Sequence, residues 1–323
     1  MADVVMSGAS DLKTARSSGR PRAAVTPSPL AKALGAYLLL APSLVLLALF
    51  VYLPIVQLAW DSLHSKPVAG ARVVFAGADN FAAVLADPAF RKALLNNLIY
   101  AVATVVPSLT LALFFAIALT RSGRFNALLR SMFFLPVLIP LIAAASLFLF
   151  IFLPGVGLID YYLGKYGRFI VSNPPNWLGD PDVALWSLIV LTVWKNAGYY
   201  MLFFLAGLQA VPADAYEAAY LEGASPFQRL WYVTLPYLRP TIAFVFVIAL
   251  INIVTQVDHV FVLTKGGPSD STNLVLFYIY QQAVENYDVG RASAATLISL
   301  AFLLAVTLVS LGSLERSLGG RGR

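Results

Sequence analysis

Six stretches of this 323-residue chain are long and apolar enough to cross a lipid bilayer as helices, and this limits what the chain can fold into. Crossing the hydrocarbon core takes about 20 apolar residues in helical form. The stretches run roughly from Ala33 to Trp60, Leu94 to Leu119, Met132 to Leu153, Val183 to Gln209, Leu238 to Leu263 and Ala292 to Leu314. None alternates in the ten-residue pattern of a membrane β-strand, so an all-α membrane protein is expected, not a barrel. Charged residues make up only 12% of the chain, against about 25% in a typical soluble domain. That composition excludes an ordinary soluble enzyme and a disordered chain alike. With no cysteine, a disulfide scaffold, a zinc–thiolate site, a thiol nucleophile and an iron–sulfur centre are excluded. The two histidines, His64 and His259, stand alone, so neither is expected to be a metal ligand or a base.

The formal charge of +6 suits a membrane protein whose Lys and Arg anchor the cytoplasmic side, and no nucleic-acid partner is expected. The segments that would face one side hold 13 Lys and Arg: the 1–32 tail, the 121–131 and 210–239 loops and the 315–323 tail. The three opposite loops hold 8. Both termini are therefore expected in the cytoplasm, as an even number of spans requires. The basic, Ser/Pro/Gly-rich tail 1–32 is expected to be flexible, and the first apolar stretch is too long for a cleaved leader. Among the outer loops, 61–92 reads as turn-rich and Asn173–Trp177 as extended. Gly266-Gly267-Pro268 reads as a tight turn, followed by a 12-residue apolar run from Asn273 to Val284 that is too short to span.

The 210–236 loop differs from the others. Pro212 and Asp214 suit a first helical turn. Gly223 suits a C-terminal stop. Ser225-Pro226 suits the start of a second short helix. Two short helices between two spans would make a protruding knob, with Ala218 and Ala219 giving a partner close access.

Glu217-Ala218-Ala219, three residues, Gly223, nine residues, then Val233-Thr234-Leu235-Pro236 resembles the "EAA" loop, E-A-A-x3-G-x9-I-x-L-P, of binding-protein-dependent ABC importer permeases. Val233 stands where Ile is usual. The resemblance covers roughly 33–314. Gly77 with Asn80-Phe81 is similar to a G-x-x-N-F segment, and Trp194-Lys195 to a W-K element. Leu263-Thr264-Lys265-Gly266-Gly267-Pro268 is similar to the L-T-x-G-G-P segment of the sugar and glycerol-3-phosphate branch. The resemblance implies a type I importer permease fold over 33–314, with six spans and a cytoplasmic coupling helix, in a bacterial inner membrane. It implies a transport subunit and not an enzyme. It also implies a second permease subunit, two ATPase subunits that use ATP and Mg, and an external binding protein, with membrane lipid around the spans. Glu217, Ala218, Ala219, Gly223, Leu235 and Pro236 would form the ATPase-coupling element. The chain holds no G-x-x-x-x-G-K-[ST] phosphate loop, and no cofactor is expected on it.

An ionisable residue inside a span is costly, and by default it is functional or paired. Lys195 lies near the middle of the fourth span, followed by Asn196, Tyr199 and Tyr200. In the fifth, Asn252, Thr255, Gln256 and His259 share a helical face at i+3, i+4 and i+7 spacing, and Asp258 lies beside them. Amides, carboxylates and aromatic rings suit a polyhydroxyl solute, so Lys195, Asn196, Tyr199, Tyr200, Asn252, Gln256 and Asp258 are the expected pathway residues. A competing reading pairs Lys195 with a helix-end carbonyl and lets the amides bond between helices. An ion-gradient-driven transporter is the alternative function. It would call for an internal repeat and coupling acids, and Asp258 is the only such acid apparent.

Overall fold

The computed structural model describes residues 29–65, 73–166 and 174–319. Residues up to Pro54 and residues from Ile55 onward form separate compact units. In the first, α1 (Pro29–Leu47) passes through a π turn (Ala48–Tyr52) into α2 (Leu53–Ser62), most of which belongs to the second. The second holds a short antiparallel ladder, β1 (His64–Ser65) with β2 (Val74–Phe75), His64 opposite Phe75. It continues with α3 (Asp79–Ala86), α4 (Pro88–Ala118), α5 (Arg124–Leu138), α6 (Leu141–Ile151), α7 (Leu158–Tyr166) and α8 (Ala184–Gln209). Then come α9 (Ala213–Leu221), α10 (Pro226–Arg229), a π turn (Leu230–Thr234), α11 (Leu235–Thr255) and α12 (Asp258–Leu263). Last are α13 (Val275–Tyr280), a π turn (Gln281–Glu285) and α14 (Val289–Gly319). The tail expected to be flexible over 1–32 is corrected at 29–32, which open α1 as helix; 1–28, Asn173 and residues 320–323 lie outside the described residues.

Among the described residues four helical stretches are long and apolar enough to cross a membrane alone: Tyr37–Ser62, Pro88–Ala118, Ala184–Gln209 and Pro226–Leu263. The expected third span is not straight. α5 and α6 meet at a 99° bend, because Pro140 pushes Ile139 into an extended conformation (φ −79°, ψ 126°) and cannot donate to α5. The helical expectation holds, and within it the turn-rich 61–92 segment adds the small ladder and α3. There Asn80 of the Gly77-x-x-Asn80-Phe81 segment donates to the carbonyls of Ser62 (2.8 Å) and His64 (3.0 Å).

Two of the π turns precede a Leu-Pro pair, Leu53-Pro54 and Leu235-Pro236. In each the Leu N–H bonds five residues back, to Ala48 or Leu230, instead of four. A proline ring clashes with the carbonyl four residues earlier, and widening the turn by one residue relieves it without breaking the helix.

The core lies along the α4–α8 contact, with α5 crossing α8 and α11 packed on both α4 and α8. The buried line of α4 reads Ala93, Asn96, Tyr100, Thr104, Ser108, Ala112 and Ala116, a run at three- and four-residue spacing. Small residues there bring backbones close, which is how membrane helices gain packing energy without a hydrophobic driving force. Tyr100, Leu188, Met201, Phe204 and Leu238 are fully buried beside it. At its N-terminus α4 is capped by Asp87, which accepts from Ala89 N–H (2.8 Å) and also from the Tyr278 hydroxyl (2.7 Å). Burial, then this carboxylate, push the Tyr278 phenol well above its ordinary pKa.

At Gly198 α8 lies close against α5, and an added Cβ there would overlap the Phe133 carbonyl. Gly164, in α7, faces open space. Gly198→Ala is therefore expected to lower the melting temperature of the detergent-solubilised protein by several degrees. Gly164→Ala should raise it slightly, through about 0.5–1 kcal/mol of helix propensity. A Gly198→Ala melt matching the native one would contradict this packing.

Candidate functional site

The 210–236 loop is built from local hydrogen-bond chemistry. α9 starts after Pro212, with Asp214 in its first turn. It ends at Gly223, whose φ of +76° is left-handed. Ala224 N–H bonds the Ala219 carbonyl (2.9 Å) and Gly223 N–H bonds that of Tyr220 (3.0 Å), the paired closure of a Schellman turn. Ser225 then caps α10 reciprocally with Gln228: Ser225 N–H donates to Oε1 (2.7 Å) and Gln228 N–H to Oγ (3.3 Å). The second, separate short helix expected in the knob does not form. α10 runs through the Leu230–Thr234 π turn straight into α11, so the loop is one helix, α9, leaning on the extended end of the next span.

Tyr216 ties the two together through a 3.0 Å hydrogen bond to Thr234. A groove between them is lined by Ala215, Ala218, Ala219, Glu222, Gln228 and Tyr232 among others. Glu217 and Ala218 are exposed, and Ala219, Leu235 and Pro236 are half-buried. Tyr220, Leu221, Phe227, Trp231 and Tyr232 are also exposed, Leu221 at 84%. Arg229 lies over the Tyr220 ring at 5.9 Å. Sequence reading overlooks Tyr216, Thr234 and Arg229, although the Ser225-x-x-Gln228 spacing is a visible capping-box signal.

The polar residues of the spans divide by burial. Lys195 is 7% exposed. Its ammonium donates to the carbonyls of Pro136 (3.2 Å), Val137 (3.4 Å) and Ile139, at the end of α5. Asn196 and Tyr200 are buried one turn apart. Tyr200 accepts from Asn252 Nδ2 (3.3 Å), and Asn196 Nδ2 has no partner. Tyr199 is half-buried and meets Phe203 edge-on at 5.1 Å. Asn252 and Gln256 are half-buried, and Thr255 and Asp258 are exposed.

The expected single face of Asn252, Thr255, Gln256 and His259 does not form, because α11 ends at Thr255 and Gln256 is extended (φ −92°, ψ 107°). Past that break Asp258 sits in the first turn of α12, while His259 is fully buried. His259 Nε2 shares a 2.9 Å hydrogen bond with the Tyr100 hydroxyl, itself 2.7 Å from Thr192 Oγ1. Sequence reading also passes over Tyr100 and Thr192. The four-residue spacing of Asn96, Tyr100, Thr104 and Ser108 was the available signal.

Residues 108–318 match the family described as binding-protein-dependent transport system inner membrane component. The chain is 31% identical to the sn-glycerol-3-phosphate transport system permease protein UgpA of Agrobacterium fabrum, over 87% of this chain and 94% of that protein. It is 31% identical to the trehalose/maltose transport system permease protein MalF of Thermococcus litoralis, over 85% and 92%. Its fold matches a chain of a bacterial alginate ABC transporter, solved in complex with an alginate pentasaccharide-bound periplasmic protein. The TM-score is 0.74 at 21% identity, with 86% and 93% of the two chains covered.

The closure of α9 yields a local prediction. Ser225→Ala removes a capping oxygen worth about 1 kcal/mol. Gly223→Ala places a Cβ in a left-handed residue at a cost of about 1–2 kcal/mol. Amide hydrogen exchange across 213–229 should speed up several-fold in each, with exchange in α8 unchanged. Unaltered exchange in both variants would show that these caps do not hold the loop.

Proposed function

The chain belongs to the family of binding-protein-dependent transport system inner membrane components, and on that footing we propose how it works as the permease subunit of an ABC importer. As such a subunit it carries solute and performs no chemistry. The solute is a sugar or a glycerol-3-phosphate-like polyol, delivered by an external binding protein. The identities to UgpA and MalF over most of the chain support this class, as do the half-buried amides and aromatic rings of α8 and α11. A second permease subunit completes the pathway, and two ATPase subunits, using ATP and Mg, drive it.

The residues open to such a pathway are those the subunit leaves half-buried or exposed: Tyr199, Asn252, Gln256 and Asp258. Asn196 and Tyr200 sit behind them as buried support, and Lys195 is engaged with backbone. The 210–236 loop is the coupling element. Its central support is a single arrangement: a short helix closed by Gly223 and presenting Glu217 and Ala218 beside exposed aromatics, on a stalk continuous with α11. Movement of the ATPases at this loop is carried along α8 and α11, and the spans alternate between inward and outward openings. The chain crosses the inner membrane six times with both termini cytoplasmic, α5 with α6 counting as one broken span. The bias of 13 Lys and Arg against 8 supports this orientation.

Two measurements test this. The native chain has no cysteine, so single introduced cysteines report topology cleanly. Asn176→Cys and Ser269→Cys should react with an impermeant thiol reagent from outside, and Ser122→Cys and Ser317→Cys should not. External labelling of Ser122→Cys would overturn the orientation. In the reconstituted complex, Ala218→Trp and Gly223→Val should each cut uptake, and ATP hydrolysis stimulated by loaded binding protein, several-fold. Solute binding by the external protein should stay unchanged. Normal transport by both variants would remove the loop from the coupling role.

A further inference from the structure

We propose that Lys195 is a positioning residue of transport, tying α8 to the corner where α5 turns into α6. The corner is a consequence of sequence. Pro140 has no N–H and forces Ile139 out of the helical region, so the last carbonyls of α5 receive no donor from α6. Backbone acceptors left bare within hydrocarbon cost several kcal/mol each. Lys195 supplies donors there, its ammonium reaching the carbonyls of Val137 and Ile139 and adding a second donor to that of Pro136, which also accepts from Ile139 N–H (3.3 Å). A cation also suits the negative end of a helix. Three residues on, Gly198 lets the Phe133 carbonyl approach the α8 backbone where any Cβ would collide. One turn of α8 thus grips α5 twice, by close contact at Gly198 and by charge at Lys195.

The grip is placed to transmit motion. α8 ends at Gln209 and α9 of the 210–236 loop begins at Ala213. On the other side of the corner, α6 packs against α12, the short helix beyond the Gln256 break. A displacement of α8 is therefore passed by Lys195 to the corner, and by α6 to α12. Both broken helices then move with the helix that enters the loop. The transport part rests on the coupling role given above to 210–236, whereas the hold on the corner does not.

Spin labels at Leu128→Cys in α5 and Phe150→Cys in α6 measure the corner, both positions being exposed. They are placed in the assembled importer with cysteine-free partner subunits. Lys195→Met should broaden and lengthen the label-to-label distance distribution and lower maximal uptake about ten-fold or more, as expected from losing donors to buried carbonyls. Lys195→Arg, which keeps a multi-donor cation, should restore the narrow distribution and most of the uptake. A distribution unchanged in Lys195→Met overturns the hold on the corner. A changed distribution with normal uptake overturns the role in transport. If Lys195→Met fails to assemble, Lys195→Met with Pro140→Ala gives residue 140 a backbone N–H able to donate to the end of α5 and should recover assembly, and a double variant no better than the single one overturns the proposal. Failure of the Gly223→Val and Ala218→Trp test would sink the coupling role and leave the corner distances as predicted.

Discussion

Backbone carbonyls inside a bilayer have no water to turn to, and this structure is organised around supplying donors wherever a helix stops or bends. A straight helix satisfies its own groups, so most of the chain needs nothing further. The exceptions lie next to prolines and at helix ends, and several have a visible remedy. At Leu53-Pro54 and Leu235-Pro236 the helix widens by one residue and continues. At Ile139-Pro140 it breaks through 99°, and Lys195 from another helix caps the broken end. At the end of α4 the Arg130 guanidinium does the same work, donating to the carbonyls of Leu119, Thr120 and Arg121. Two cations that look like scattered charge in the sequence are thus both helix caps. A cation is suited to the task because it offers several donors at once and opposes the negative end of the helix dipole.

The same constraint separates support from function. Polar side chains that bond between these segments lie deep in the packing: Tyr100 with Thr192 and His259, Asn96 with the backbone carbonyls of Asp270 and Asn273, and Tyr200 with the half-buried Asn252. They hold α4, α8 and the segments after the Gln256 break in register. The polar groups left half-open on α8 and α11, Tyr199, Asn252 and Gln256, are the ones the proposed pathway would use. In the 210–236 loop the arrangement is reversed. There the backbone is closed by short-range caps, and large apolar side chains are left exposed, with nothing among the described residues covering them. An exposed cluster of Tyr, Leu, Phe and Trp on a capped helix is what a docking element needs, because exposed apolar area is costly until a partner buries it.

The apolar stretches place every long helix of the described residues, since about 20 residues without charge leave little choice in lipid. The loop motif is also legible residue by residue. Pro212, Gly223, Ser225 and Gln228 act on neighbours within five positions, so their spacing alone specifies the turn, the stop and the cap. What stays hidden is whatever depends on a distant partner. Met132–Leu153 reads as one continuous span because hydrophobicity is blind to the direction of a helix. The bend follows from Pro140, but it persists only because Lys195, 55 positions further along the chain, arrives with donors. Asn252, Thr255, Gln256 and His259 fall on one face by arithmetic, yet the helix ends at Thr255 and the face is lost. Lys195 announces by its cost that it must be paired. Whether its partner is a solute, an acid or a row of carbonyls was decided by packing, because only the approach of α8 to α5 at Gly198 brings that ammonium within reach of the broken helix end.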